Sequence, residues 1–447
     1  MNHAIAMNTI EAFEQRFDQT PTGRLAMNAV TKAGIQSASA SYDLQRRMRY
    51  GFSLEIEAGK LTNQKSSGRC WMFASLNTMR VEVMKKLNLE TFELSQNYPL
   101  FWDKLEKSNY FLESILDTLD EPLNGRLVSF LLAAPLGDGG QWDMFANIVE
   151  KYRVVPKERM PETFHSSNTG VMNKYLTLKL REFACALREA HAAGQSREQL
   201  AAKKEDMLYT IYQMLCVCLG KPPREVMLEV RDKDNEFHRV GPMSPQAFFQ
   251  EYVGFNLDDY VSLIHAPTAD KPFGRTYTVK YLGNVREGRP VRYLNLPIED
   301  LKAAAIAQMQ DGKLVWFGCD VGQRLDGEWG SMDLESFDLE PTLGTTFPMT
   351  KAQRLDYGES LMTHAMVFAG VNLDENGKPN RWKVENSWGE ERGNKGWYIM
   401  SDDWFSEYTY QVLIEKKYLT AQQLAALEQE PIALEPWDPM GSLAVMK

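Results

Sequence analysis

The residue with the most chemistry to offer is Cys70. It follows a polar loop, Thr62-Asn63-Gln64-Lys65-Ser66-Ser67-Gly68-Arg69, and opens a run in which Trp71, Phe73, Ala74, Leu76, Met79, Val81, Val83 and Met84 cover a wide helical face. The spacing predicts a deeply buried helix over roughly 70–87 with a thiol at its first residue. Unpaired N–H groups at a helix N-terminus lower a thiol pKa and favour thiolate, the nucleophilic form. A free cysteine by itself is more often a small buried hydrophobe, and Cys185, Cys216, Cys218 and Cys319, inside helical or strand patterns, read that way.

A thiolate nucleophile needs a proton shuttle. His364 begins the apolar run His364-Ala365-Met366-Val367-Phe368-Ala369-Gly370-Val371, and Asn386 follows 22 residues later in Asn386-Ser387-Trp388-Gly389. The turn-rich segment from Asp374 to Asn380 lies between them, and Arg381 to Asn386 returns as a strand, which predicts a hairpin. The amide oxygen of Asn386 could then accept the imidazole N–H and fix its orientation. Each residue alone is a weak signal; the three together are specific.

The elements that must position them divide by period. Ile10, Phe13 and Phe17 share a helical face near the N-terminus. Helical patterns flank the loop Leu136-Gly137-Asp138-Gly139-Gly140, where a glycine pair ordinarily marks a turn. Residues from about 157 to 255 are mostly helical and highly charged, clearest over 174–193 and 197–219, and read as an inserted subdomain. Beyond 275 the period changes to that of strands, at 275–281, 314–321, 364–371, 381–386 and 396–400.

Composition narrows the classes. With 447 residues the chain is long enough for two or three domains or one large core with inserts. It is 44% hydrophobic and 25% charged, an ordinary globular mix. Mean hydropathy is −0.40 and there is no long apolar run, which argues against a membrane span. The N-terminal residues lack the pattern of a secretory signal. Five cysteines, an odd number, suggest a reducing compartment rather than a disulfide framework. No Cys-x-x-Cys or His-Glu-x-x-His spacing supports a metal site, so no metal or cofactor is expected. The net charge of −10 argues against nucleic acid as a partner.

Gln64-Lys65-Ser66-Ser67-Gly68-Arg69-Cys70-Trp71, Thr363-His364-Ala365 and Asn386-Ser387-Trp388-Gly389 resemble the signature boxes of papain-like cysteine peptidases. More particular strings, Asn63 to Trp71, Ser95-Gln96-Asn97-Tyr98, Phe101-Trp102-Asp103-Lys104-Leu105-Glu106, Gly139-Gly140-Gln141-Trp142-Asp143-Met144 and Pro436-Trp437-Asp438-Pro439-Met440-Gly441, are similar to the bleomycin hydrolase and aminopeptidase C family, in the family's order.

The resemblance implies an α+β papain-like fold with an inserted helical subdomain. Its parts would be an N-terminal helical extension (1–60), a helical half with the nucleophile (61–156), a helical, oligomer-forming insert (157–255), a β-rich half with His and Asn (256–430) and a tail in the cleft (431–447). It implies Cys70 as nucleophile, His364 as acid and base, Asn386 as its orienting partner and Gln64 as oxyanion donor. Trp71 and Trp388 would support these, Trp388 by shielding the His–Asn bond, and Gly139 and Gly140 would let substrate backbone approach. It also implies a cytoplasmic homohexamer acting on peptides with a free N-terminus, the tail's carboxylate meeting the substrate ammonium. The family has one residue after the alanine matching Ala444, whereas this chain has three, so the anchor falls at Val445 or at Lys447 according to whether the end is trimmed. An endopeptidase with an open cleft, a nucleic-acid-binding protein and an inactive scaffold are the competing readings. The presence of Gln64, Cys70, His364 and Asn386 argues against the last.

Overall fold

The computed structural model describes residues 3–444, and the expected mixture of helix and sheet is what it contains. The helical half is built on the candidate nucleophile helix, Cys70–Lys86; a second helix, Trp142–Tyr152, packs against it, and a support helix, Asn97–Asp117, packs on that second one. The nucleophile helix has no glycine or proline and is apolar on nearly every side, so it runs through the interior with 13 of its residues buried. The thiol therefore sits on an element that cannot shift without disturbing the core.

The other half is a 12-stranded sheet. Its central strand, His364–Leu373, pairs antiparallel with Val315–Cys319 on one side and with Pro379–Glu385 on the other. The hairpin expected between His364 and Asn386 is present. Its turn closes because the Asp374 carboxylate accepts the N–H groups of Asn376 and Lys378 at 2.8 and 2.9 Å. The nucleophile helix packs across this central strand, and the Trp316 indole N–H donates to the Trp71 carbonyl at 3.3 Å. One hydrophobic core lies between helices and sheet; a second lies on the far face, where Phe317 and Phe368 stack at 3.8 Å.

Three features of the fold stand out. Within 157–255 the helices Gly170–Ala192 and Arg197–Leu219 are followed by a two-stranded hairpin, Val226–Arg231 with Phe237–Met243, where a helical pattern was expected. The helices Met7–Asp18 and Pro21–Ala33 exist but bury none of their residues against the rest of the chain. The tail, for which disorder is the usual expectation, is packed: Ile432–Leu434 joins the sheet edge, and Met440, Leu443 and Ala444 are part of the first core. No helix among the described residues is long and apolar enough to cross a membrane.

Candidate active site

The cleft lies where the first turn of the nucleophile helix meets the start of the central strand. Backbone N–H groups of Ala365, Trp71 and Cys70 lower the pKa of the Cys70 thiol, which places the residue next to His364 beside it. His364 Nε2 lies 2.9 Å from Asn386 Oδ1, across the hairpin predicted from sequence. The same oxygen accepts the Ser387 N–H at 2.8 Å. Because Oδ1 can only accept, the histidine proton is on Nε2, and Nδ1 keeps the lone pair. The Trp388 ring centroid sits 4.9 Å from that of the imidazole, tilted by 36°.

Gln64 is brought to this point by a short antiparallel strap. Its N–H donates to the Ser387 carbonyl at 2.8 Å, the Gly389 N–H donates to the Thr62 carbonyl at 3.1 Å, and Asn63 bridges to Trp388. The side chain is orientated from both ends: Ser387 Oγ donates to Gln64 Oε1 at 2.6 Å, and Gln64 Nε2 donates to the Ser67 carbonyl at 2.5 Å. A second N–H remains on Nε2. Four residues separated by up to 322 positions thus converge on one cleft.

The sequence argument for a lowered thiol pKa is corrected by the burial of the site. Cys70 is only 4% exposed, and loss of water pushes its thiol up to about 11, more than the three backbone N–H groups pull it down. Burial also lowers His364 to about 4, against the raising effect of its bond to Asn386. Both shifts favour the neutral forms, thiol and imidazole, in this buried site.

The other wall is the loop Gly137–Gly140. A Cβ on Gly139 would fall 2.0 Å from the Leu443 carbonyl oxygen, so tail backbone lies directly on this glycine. A Cβ on Gly140 would lie 2.5 Å from the Trp71 ring, so that glycine is required by packing against the nucleophile helix. Ala444 lies over Gly137. Val445 and Lys447, the two possible anchor positions, lie outside the described residues.

Sequence reasoning missed what holds this loop. Lys104 and Lys107, one turn apart on the support helix, reach the loop from below. Lys104 Nζ donates to the Gly137 carbonyl at 2.8 Å and pairs with Asp138 at 2.5 Å. Lys107 Nζ donates to the Gly139 carbonyl at 2.6 Å and pairs with Asp103 at 2.8 Å. Asp138 also accepts the Gly68 N–H, two residues before Cys70, at 2.9 Å, together with the Thr169 hydroxyl and the Asn173 amide. Burial would raise the Asp138 pKa, but the Lys104 charge and these donors hold it below the usual carboxylate range. The trace in the sequence was the i, i+3 spacing of the two lysines and the aspartate within a glycine loop, whose pairing no local pattern reveals. Glu385, beside Asn386, was missed too; it accepts from Asn77 and Arg80 of the nucleophile helix at 2.7 and 2.8 Å, tying the helix to the strand.

Comparison with known proteins agrees with this geometry. Residues 4–441 match the Peptidase C1-like family. Aminopeptidase C of Listeria monocytogenes is 48% identical over the full length of both chains. Bleomycin hydrolase of Gallus gallus is 45% identical over 99% of each. The crystal structure of PepW from Lactobacillus rhamnosis superposes with a TM-score of 0.97 at 49% identity, over 99% of this chain and all of that one.

Proposed function

Since the chain belongs to the Peptidase C1-like family of papain-like fold, we propose that it is a cysteine aminopeptidase removing residues from the free N-terminus of peptides. The observation that carries the aminopeptidase assignment is the tail. Its Leu443 and Ala444 backbone occupies the Gly137–Gly139 wall, where the upstream residues of an internal substrate would have to lie. A peptide can then enter only as far as the tail allows.

The proposed chemistry starts from the neutral pair. As the Cys70 sulfur attacks the scissile carbonyl carbon, its proton passes to His364 Nδ1, forming imidazolium. Asn386 Oδ1 stabilises that cation through Nε2–H. The carbonyl oxygen becomes an oxyanion, held by the free Gln64 Nε2–H and the Cys70 backbone N–H. Collapse breaks the C–N bond, the imidazolium proton goes to the leaving amine, and a thioester on Cys70 remains. Water then gives a proton to Nδ1 and attacks the thioester; Nδ1 returns the proton to the departing sulfur, and the amino acid leaves. Trp388 beside the imidazole keeps water from competing for the His–Asn bond.

The test is a panel of fluorogenic aminoacyl amides and their N-acetyl counterparts, with and without a thiol-alkylating reagent. Free amides should be cleaved, acetylated ones spared, and alkylation should end activity. Equal cleavage of both forms would make the enzyme an endopeptidase.

The same reading includes a homohexamer in the cytoplasm. Exposed apolar residues support assembly. Phe13, Phe17 and Leu25 of the N-terminal helices and Val171, Tyr175 and Leu178 along one insert helix are all exposed. Light scattering should give about six times the 51.1 kDa chain mass; a monomer would overturn this part. Five free cysteines suit a reducing compartment, and fractionation of the source cells checks it.

A further inference from the structure

The string Pro436-Trp437-Asp438-Pro439-Met440-Gly441 lies upstream of the part of the tail that touches the cleft glycines, and the chemistry proposed above gives it no work. We infer that it is a latch in which Lys271 and Tyr293, far from Cys70 in sequence, are the positioning residues that set how deep a substrate N-terminus can enter. This rests on the reading of the tail as a ruler.

Contacts of the last described residues with Gly137 and Gly139 are backbone lying on glycine. Such contacts exclude bulk but specify no register, because each peptide unit fits as well as the next. The last described residues are turns, with the Ser442 and Ala444 N–H groups donating to the Pro439 and Gly441 carbonyls at 3.1 and 3.2 Å, and even in so tight a chain a slip of one residue moves the end by about 2 Å, enough to lose a hydrogen bond. Register must be fixed upstream.

The upstream contacts are directional. Lys271 is 4% exposed, and its ammonium lies 2.9 Å from one carboxylate oxygen of Asp438 and 2.8 Å from Asp270. The other Asp438 oxygen accepts the Met440 N–H at 2.9 Å, which starts the single 3₁₀ turn Pro439–Gly441. The carbonyl of Met440 accepts the hydroxyl of Tyr293, a fully buried residue, at 2.9 Å. Ser442 Oγ then donates to the Met362 carbonyl at 2.8 Å, two residues before His364. On the opposite wall the Arg126 guanidinium lies 3.7 Å over the Trp437 ring. The segment 437–442 is thus pinned to both halves before it reaches the glycine loop. Asp438 binds Lys271 and caps its own turn at once, so the ion pair fixes position and direction together.

The experiment compares wild type, Lys271→Met, Lys271→Arg, Tyr293→Phe and a deletion of 442–447. Each is assayed for kcat and KM on a free aminoacyl amide and on its N-acetyl form, and hydrogen exchange is followed over 437–444. Lys271→Met should raise KM for the free amide about tenfold with kcat within about threefold, and raise relative cleavage of the acetylated form by a similar factor. Tyr293→Phe, which removes one hydroxyl and keeps the packing, should do the same by about threefold. Both should speed exchange in 437–444, and Lys271→Arg should recover part of the preference. If Lys271→Met does not fold, Tyr293→Phe decides. If the deletion relaxes the preference while the folded latch variants keep it, the latch is wrong and the ruler stands. If the deletion too leaves preference unchanged, the ruler reading fails and the latch with it.

Discussion

The helical wall of the cleft, Gly137 to Gly140, is held by buried charge: two lysines and two aspartates with side chains at most 8% exposed, whose ammonium groups take up loop carbonyls. The opposite wall, which carries His364 and Asn386, is held by strand pairing and by rings, with the His364–Asn386 bond spanning a hairpin and Trp388 beside the imidazole. The loop has no regular hydrogen-bond ladder, so its carbonyls must be met by side chains. The strands meet their own. A wall held by buried ions fails abruptly when one partner goes, because the other is left charged without water. A wall held by many ladder bonds loses one contact at a time. The two walls should therefore answer mutation differently.

The largest effect should come from the ionic wall. Lys104→Met leaves Asp138 buried without its cation and should cost about 3–5 kcal/mol of stability by urea denaturation. Pairing it with Asp138→Leu should recover much of that loss. A cost below about 1 kcal/mol for Lys104→Met would erase the distinction between the walls.

Next is the strap that joins them. Gln64→Ala should lower kcat about 10²–10³-fold with little change in melting temperature, the signature of the proposed oxyanion donor. An effect confined to KM would move Gln64 into ground-state binding.

On the sheet wall, Asn386→Ala should reduce kcat by about 10- to 100-fold without abolishing it, because strand pairing still places His364 and only its orientation is loosened. Loss equal to that of Cys70→Ala would mean that the amide does more than orient.

The smallest and most diagnostic effect is a titration. Burial depresses His364 to about 4 in the folded chain, against 6.5 for a free imidazole. A depressed histidine contributes stability that is fully present above 6.5 and lost as pH falls through about 4. Imidazole NMR of the resting enzyme should show neutral His364 at pH 6. A pKa above 6.5 would mean a standing thiolate–imidazolium pair in place of the neutral one.

Much of the sheet wall could be read from sequence, because a hairpin is local: the apolar run from His364, the Asp374–Lys378 turn and Asn386 all fall within one stretch. Cys70 was legible for the same reason, as a polar loop giving way to an apolar helix. Its protonation was not, since its burial is made by residues distant in the chain, among them Ala365 and Asp138. The lysines under the glycine loop meet its carbonyls and Asp138 across more than 30 residues with no repeating pattern. The hairpin at 226–243 did leave a trace, Val226, Leu228 and Val230 alternating with Met227, Glu229 and Arg231, but it sits among charges beside two long helices and reads as their continuation. For the N-terminal helices the period was right, yet none of their residues is buried.

The central claim is that Cys70 carries the acyl group, and rapid-quench mass spectrometry during turnover of an aminoacyl ester tests it most directly. The account predicts a transient aminoacyl adduct on the peptide containing Cys70, absent in Cys70→Ser. An adduct on any other residue, or wild-type turnover in Cys70→Ser, would contradict it.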